Sequence, residues 1–329
     1  MLRKFLMTIF ALVVLPGSES SASAQEKLRL AWAGVSPTNS PIWVIQEKKL
    51  LQKQGVQPEI IAIGNSPTVL QALLAGEIDA ASISVTTLTS SRLAGADTVM
   101  VLGVVPTFVD HIVSVASISS VEQLKGKTGG VNRLGTTSDM GLRLALRRLG
   151  VDPERDTKIL PVGGNPERFA ALSKGIVQFT IMAEPFVREA EKLGFRDLVS
   201  IGSLKIPFWW NGILTRESIL KAKRPLVMKL VRAMVEAIHI IKTDREYAKA
   251  VFKKNLGISD PEGLERAYRD YSTVFPEVPY PTPDGVKTML DDLAPRNPKA
   301  AAADPKAFVD QSLVRELESS GFIKQLYKR

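Results

Sequence analysis

The stretch "GNSPTVLQALLAGEID" at residues 64–79 is echoed about one hundred residues later by "GGNPERFAALSKGIVQ" at residues 163–178. In both, a polar residue precedes a proline, apolar residues follow at helical spacing, and a glycine ends the pattern. The pattern predicts one helix in each stretch, capped by Ser66 in the first copy and by Asn165 in the second. Two copies at this distance indicate the internal duplication of a whole folding unit.

The similarity extends to both sides of the two copies. Upstream, "EKKLLQKQGVQPEIIAI" at residues 47–63 and "LALRRLGVDPERDTKILPV" at residues 144–162 each predict a helix followed by an extended apolar segment. Downstream, residues 78–84 and 177–182 predict buried strands. Alternating strands and helices predict an α/β fold with two lobes, in which each lobe is a mostly parallel sheet flanked by helices.

Two long extended segments, at residues 99–117 and 200–218, predict two crossings between the lobes, which together form a two-strand hinge. The chain is long enough for two packed units rather than one. The predicted organisation is a signal peptide at 1–24, the first part of lobe I at 25–112, lobe II at 113–211, and the return to lobe I with the C-terminal helices at 212–329.

The first 24 residues have the composition of a secretory signal peptide. Arg3 and Lys4 precede an apolar run at residues 5–15, and small residues follow up to Ala24, after which we expect cleavage. The apolar run is too short to span a bilayer, so we expect a soluble periplasmic protein. The chain contains no cysteine, which excludes a cysteine-linked lipid, disulfides, thiolate metal ligands and a thiol nucleophile.

The charge distribution and the lack of catalytic motifs argue against a nucleic-acid-binding protein and against an enzyme. Lys and Arg number 43 against 34 Asp and Glu, but the charges are interleaved, which is typical of solvated helix faces rather than of a nucleic-acid surface. The two histidines, His111 and His239, lie far apart in unlike contexts and support neither a metal site nor a catalytic triad. We therefore predict no enzymatic activity, no metal, no cofactor and no nucleic-acid partner.

Candidate ligand-binding residues follow from the predicted topology. In open parallel sheets, ligands bind beyond the carboxyl ends of the strands, where helix N-termini present free N–H groups. Two lobes joined by two crossings enclose a cleft, so we expect loops from both lobes to face each other across it. The candidates are Ser36, Thr38, Asn39, Asn65, Ser66, Ser84, Thr86, Arg133, Gly135, Thr136, Thr137, Glu184, Trp210 and Asn211.

The stretch "GGVNRLGTTSD" at residues 129–139 looks like a phosphate-binding loop but lacks the lysine that reaches the outer phosphates. Two interpretations stay open. Either Thr136 and Asp139 form a capping box that serves only their own helix, or the loop also binds ligand. In the second case, the Arg133 guanidinium would suit a carboxylate or a sulfonate.

Two further candidates are open in the same way. Glu184 follows a predicted strand and is either a favourable charge at a helix start or a partner for a ligand amine or hydroxyl. Trp210 lies beside the returning crossing, and its ring either packs against the hinge or lines an aromatic wall of the cleft.

Four stretches carry a resemblance to a known family. They are "SPIWVIQEKKLLQKQGVQPEI" at 40–60, "QALLAGEIDAASI" at 71–83, "SVEQLKGKTGGVNRLGTTSD" at 120–139 and "MAEPFVREAEKLGF" at 182–195. In this order they resemble the substrate-binding proteins of ABC importers of the nitrate/sulfonate/taurine type, which also includes thiamine-precursor binders. The resemblance implies two α/β lobes, a two-strand hinge, and as partners a small solute and a membrane permease with its ATPase.

The resemblance leaves the ligand open among small anions, sulfonates, amino-sulfonates, carboxylates and heterocycles. We expect a monomeric receptor for a small anionic or zwitterionic organic solute. Two other functions stay open: an enzyme on the same fold, related to the thiamine-pyrimidine synthases, and a soluble ligand-sensing partner of a membrane receptor. The synthase-like enzyme would be expected inside the cell with Cys and His around iron, and both the signal peptide and the lack of cysteine count against it.

Overall fold

The computed structural model describes residues 26–328, so the predicted signal peptide at 1–24 lies outside the described part of the chain. Within that part, ten strands form two sheets of five strands each. The strands are β1 (Glu26–Ala33), β2 (Val56–Ile63), β3 (Ala80–Ile83), β4 (Thr98–Val105), β5 (His111–Ser114), β6 (Thr128–Val131), β7 (Lys158–Pro161), β8 (Phe179–Met182), β9 (Arg196–Ser200) and β10 (Asn211–Arg216).

Helices connect and cover the strands. The α-helices of the described range are α1 (Ser40–Glu47), α2 (Ser66–Ala75), α3 (Val85–Leu93), α4 (Thr137–Arg148), α5 (Asn165–Ser173), α6 (Phe186–Lys192), α7 (Glu217–Ala222), α8 (Arg224–Thr243), α9 (Arg245–Leu256), α10 (Pro261–Val274), α11 (Pro283–Leu293), α12 (Pro298–Ala302), α13 (Ser312–Ser319) and α14 (Phe322–Leu326). None of the helices between residues 26 and 328 is both long and apolar enough to cross a bilayer.

The strand order confirms the duplication. The first sheet has the order β2-β1-β3-β10-β4 and the second has the order β7-β6-β8-β5-β9. The unit β1-α1-β2-α2-β3 of the first lobe therefore corresponds to β6-α4-β7-α5-β8 of the second. In both lobes the unit ends with a strand that pairs with its first strand in parallel register. The two-lobed α/β fold that the repeat predicted is thus confirmed.

Each sheet is mostly parallel, as the sequence predicted, because four of its five strands run in one direction and one strand runs antiparallel to them. β10 runs antiparallel to both β3 and β4, and β5 runs antiparallel to both β8 and β9. Each of these inserted strands arrives through a crossing from the opposite lobe, and it enters its new sheet from the other end. The side-chain pattern of a buried strand is the same in either direction, so the sequence alone did not reveal this reversal.

The caps of the repeated helices lie one residue before the predicted positions. Asn65 has an extended backbone, and its side chain accepts a hydrogen bond from the Thr68 N–H, so Asn65 rather than Ser66 caps α2. In the second copy Asn165 is already the first residue of α5, after Gly164. The ends of the two copies also correspond, since the side chains of Asp79 and Gln178 each accept a backbone N–H from the lobe's first strand.

The C-terminal helices complete the first lobe. α8 is twenty residues long and buries an apolar face against α1 and α9. α10 packs on α8 and α9, and it also contacts the loop between β1 and α1. This arrangement brings a helix from the last quarter of the chain to the place where the two lobes meet.

Candidate ligand-binding site

The first turns of two helices from opposite lobes meet between the sheets. The Thr86 hydroxyl of α3 lies 3.4 Å from the Thr137 hydroxyl of α4, and Thr86 is buried. The N-cap side chains, Ser84 in α3 and Thr136 in α4, bond to hydroxyl groups of their own first turns, but neither accepts a hydrogen bond from a backbone N–H there. The free N–H groups and positive dipole ends of two helices therefore converge on one place, which favours an anion.

The loop before α4 is held by its own residues. The Gly135 N–H donates to the Asp139 carboxylate at 2.8 Å, and Arg143 pairs with the same carboxylate at 2.7 Å. The Thr136 hydroxyl donates to the Arg133 carbonyl at 2.7 Å. The predicted capping box of Thr136 and Asp139 is therefore wrong, because Thr136 donates to the loop and Asp139 bonds one residue earlier than such a box requires. Arg133 is exposed, and its side chain forms no salt bridge with the residues at positions 26–328.

Two asparagine candidates use their side chains to fix nearby backbone. The Asn39 amide donates to two carbonyls at the end of β1, at 3.2 and 2.9 Å, and its oxygen accepts from the Ser82 hydroxyl at 3.2 Å. The exposed Asn65 accepts from the N–H and hydroxyl of Thr68 at 3.0 and 2.9 Å. Both side chains already have protein partners, and Ser66 is the first residue of the helix that Asn65 caps.

The loop before α1 is tied to the returning crossing. Ser36 caps a short 3-10 turn by accepting hydrogen bonds from the N–H and hydroxyl of Thr38, at 3.3 and 3.1 Å. The Thr38 carbonyl in turn accepts from the Asn211 amide at 3.4 Å. Three of the predicted residues, from two distant parts of the chain, therefore lie together where β10 enters the first sheet.

Aromatic rings pack between the two crossings. Phe108 stacks on Phe208 with ring centroids 4.2 Å apart, and Trp210 meets Phe108 edge-on at 6.0 Å. The Trp210 N–H donates to the Val105 carbonyl at 2.9 Å, so the crossings are also joined through their backbones. Of the two interpretations for Trp210, the structure shows the packing contact, and ligand contact by its half-buried ring stays a prediction.

Asp110 was not among the predicted site residues, although it lies at the junction of the lobes. It is only 1 % exposed, and burial raises its pKa to about 6 despite the opposing charges of Arg168 and His111. Tyr271 of α10 is close by: burial raises the pKa of its phenol, and the Asp110 and Glu184 carboxylates raise it further. The available signal was a single carboxylate within the apolar run "VVPTFVDHIV" at residues 104–113.

Glu184 belongs to a group of ion pairs that we call the Arg266 cluster: Arg266 with Glu184, Glu191 and Asp197. The Arg266 guanidinium lies 2.9 Å from Glu191 and 3.3 Å from Asp197, and its Nε pairs with Glu184. Burial raises the pKa of Glu184, and Arg266 counteracts part of that rise. Arg266 lies on α10, whereas Glu184 follows β8, Glu191 lies on α6 and Asp197 lies in β9, so the cluster joins the two lobes.

His111 extends this cluster. Its Nδ1 lies 2.8 Å from the Asp197 carboxylate. Burial would lower the pKa of His111, but the hydrogen bond and charge of Asp197 outweigh burial and leave the pKa raised. Within residues 26–328, no group of three or more His, Asp or Glu side chains is arranged to hold a metal ion.

Two surface cavities lie away from the junction. One, of about 520 Å³, is lined by Arg92 and Arg224 on the outer side of the first lobe. The other, of about 490 Å³, is lined by His239 and Tyr327 near the last helix. The hydroxyl contact between α3 and α4 shows instead that the two lobes are closed on each other at the candidate site.

Comparison with known proteins places the chain in a family. Residues 21–254 match the sequence profile of the NMT1-like family. The chain belongs to the NMT1-like family. A Brucella abortus protein named as a binding protein is 34% identical to it over 108 residues, which are 33% of each chain. The matched segment therefore spans about a third of that relative.

Solved structures of the same fold support this placement. The alkanesulfonate-binding protein of Xanthomonas axonopodis pv. citri, bound to MOPS, aligns with a TM-score of 0.69 and 19% identity, over 87% of this NMT1-like chain and 98% of its own. A cysteine-to-serine variant of DszB in complex with biphenyl-2-sulfinic acid aligns with a TM-score of 0.64 and 16% identity, over 90% and 99%. The predicted resemblance to nitrate/sulfonate-type binding proteins is thus confirmed for family and fold.

Proposed function

We propose that this NMT1-like protein is an exported solute-binding protein. It captures a small anionic or zwitterionic organic solute between its lobes and delivers it to the permease and ATPase of an ABC importer. The observation that carries the proposal is the meeting of α3 and α4, whose uncapped N-termini from opposite lobes converge at Thr86 and Thr137. An anion held there would be bound by both lobes at once, so its binding would favour closure.

The relatives support this proposal without fixing the ligand. The alkanesulfonate-binding protein of Xanthomonas axonopodis pv. citri shares the fold, and the matched Brucella protein is named as a binding protein. An enzymatic role is the alternative, since the DszB structure with a bound sulfinic acid shares the fold as well. We favour capture over chemistry because hydroxyl groups and free N–H groups bind an anion, and within residues 26–328 the Thr86 and Thr137 hydroxyls bond to other hydroxyls rather than to a general base that would activate them.

The first expected result concerns closure. A saturating ligand should reduce the radius of gyration, because the two crossings allow the lobes to rotate and each lobe supplies one helix N-terminus. At a ligand concentration one hundred times Kd, the ligand should stabilise the native state by about 2.7 kcal/mol. A thermal-shift screen of sulfonates and carboxylates, followed by small-angle scattering with the best compound, measures both. Binding with an unchanged radius of gyration, or turnover of the compound, would contradict the proposal.

The second expected result concerns Arg133. If its guanidinium meets the anionic end of the ligand, Arg133→Ala should weaken binding by about 1.5 to 3 kcal/mol, or roughly ten- to more than a hundredfold, through the loss of a charge-assisted hydrogen bond. Arg148→Ala is the matched control, since Arg148 is an exposed arginine at the other end of α4. Calorimetry compares the three proteins. Equal affinities for Arg133→Ala and Arg148→Ala would remove Arg133 from the site.

A further inference from the structure

Asp110 is a carboxylate that is buried at the junction of the two lobes. Its backbone is fixed, since its carbonyl accepts from the Ile201 N–H at 2.9 Å. Its Oδ2 has no hydrogen-bond partner among residues 26–328, and its carboxylate forms no salt bridge with them. A buried charge normally has a counter-ion and hydrogen bonds within the fold, because removing it from water is costly. Asp110 is only 1 % exposed, so the burial of its carboxylate without a counter-ion needs an explanation.

Two further polar groups at the same junction are also unpartnered within the described part of the chain. Asn211 is 6 % exposed, and its Oδ1 has no partner although its amide nitrogen donates to Thr38. Tyr271 is 1 % exposed, its hydroxyl has no hydrogen-bond partner among residues 26–328, and the charge of the Asp110 carboxylate acts on it through space. We call Asp110, Asn211 and Tyr271 the junction subsite. Its members come from the first crossing, from β10 and from α10.

The chemistry of these atoms selects the complementary group. The Asp110 and Asn211 oxygens only accept hydrogen bonds, while a phenol both donates and accepts. Arg168, whose charge acts on Asp110, is already bonded to the Ile181 carbonyl at 2.7 Å and to the Gly163 carbonyl at 3.2 Å. It influences Asp110 only through space. A group that supplies several N–H donors and a positive charge would satisfy what the fold leaves open.

We infer that the junction subsite binds a protonated nitrogen group of the ligand, with Asp110 as its counter-ion and Asn211 and Tyr271 as further hydrogen-bond partners. The inference rests on the proposed function, and it makes the ligand a zwitterion. The anionic end lies at the N-termini of α3 and α4, and the cationic end lies at the junction subsite. The junction subsite thereby distinguishes amino-sulfonates or amino-carboxylates from plain sulfonates or carboxylates.

Matched probes test the inference. Calorimetry compares taurine with ethanesulfonate, β-alanine with propanoate, and 4-(aminomethyl)benzoate with 4-methylbenzoate, because each pair differs by an amino group. We expect the aminated member of the pair that fits the cleft to bind at least about tenfold more tightly. Asp110→Asn should remove that preference, and Tyr271→Phe should reduce it without lowering the melting temperature. Equal affinities within the pairs that bind, or a preference that persists in Asp110→Asn, would overturn the inference.

A second measurement needs no ligand. Asp110→Asn keeps the shape of the side chain but removes the buried charge, so it should raise the melting temperature of the unliganded protein by a few degrees. A fall in melting temperature would show that the carboxylate has a structural role and would overturn the inference. Anions that bind with closure but without preference for an amino group would leave the proposed function intact. Binding without closure would count against that function instead.

Discussion

Arg266→Ala is expected to cost the closed form about 3 to 5 kcal/mol, because it leaves buried carboxylates without their counter-ion. The Glu184 side chain is 3 % exposed and the Arg266 side chain 18 % exposed, so solvent screens this pair weakly. Asp197 and Glu191 contact the same guanidinium, and three acids would then face one another. Because the pairs connect the two lobes, the lobes should separate, and ligand affinity should fall as the closed form becomes less populated.

Two variants separate this effect from a general loss of charge. Arg269→Ala removes an exposed arginine of the same helix that pairs with the adjacent Asp270, and it should change stability by less than about 0.5 kcal/mol. Adding Glu184→Gln to Arg266→Ala should recover part of the loss, because it removes the most buried of the stranded charges. Small-angle scattering and urea unfolding measure lobe opening and stability. A compact Arg266→Ala protein with unchanged stability would show that the cluster does not hold the lobes together.

The repeat predicted the fold because its signals are local. Proline near each helix start, glycine after each helix and apolar spacing in between all act within a few residues. The equivalence extends to Asp79 and Gln178, which hold the first strand of their lobes in the same way. The insertion of β5 and β10 in antiparallel direction depends on pairing between distant segments. No local pattern encodes that direction, so the sequence predicted the crossings and the mostly parallel sheets but not the reversed direction of these two strands.

The sequence identified polar residues at helix starts, but it did not show which of them face the cleft and which bond their own backbone. Thr86 and Thr137 follow strand ends in opposite lobes, and the structure brings them together. Asn39 and Asn65 have the same residue type and loop context as a ligand contact, yet they bond their own backbone. Sequence does not distinguish these uses, since both need a short polar side chain at a helix start.

The junction subsite and the Arg266 cluster could not be predicted from the sequence, because their residues are far apart along the chain. Asp110 stands out as a charge in an apolar run, but its neighbour Tyr271 lies 161 positions further along the chain. Arg266 lies in the same helix as Tyr271, and its sequence context is that of an ordinary charged helix face. Their roles arise only from the packing of α10 at the lobe junction, which depends on long-range contacts that the repeat does not include.

The stability of the unliganded protein should fall by about 3 kcal/mol relative to Asp110→Asn as the pH rises from about 4 to about 6. Burial raises the pKa of Asp110 from 3.8 to about 6, although Arg168 and His111 oppose the rise. Between these values the folded state binds more protons than the unfolded state, so raising the pH through this window destabilises the fold. The pKa values of His111 and Glu184 are raised as well, and comparison with Asp110→Asn cancels the part of the pH dependence that wild type and variant share.

Asp97 supplies a control of opposite sign for this pH series. Burial alone would raise the pKa of Asp97, but hydrogen bonds from Ser218 and Arg216 outweigh burial and hold it at about 2. Its contribution is therefore present above about pH 4 and is lost as the pH falls towards 2. Urea unfolding of wild type, Asp110→Asn and Asp97→Asn from pH 3 to pH 7.5 should give difference curves of opposite slope. If the stability difference between wild type and Asp110→Asn does not change with pH, the pKa of Asp110 is not raised by burial and the prediction is wrong.

A bound cation should cancel the Asp110 effect. An ammonium group at the junction subsite favours the carboxylate form and lowers the pKa of Asp110, so the pH-dependent loss between about 4 and 6 should shrink or disappear in the complex. The matching ligand without an amino group offers no such compensation, and its complex should keep the loss. Repeating the pH series with the tightest-binding aminated probe and its partner without the amino group distinguishes these outcomes. Equal pH dependence in the two complexes would place the amino group away from Asp110.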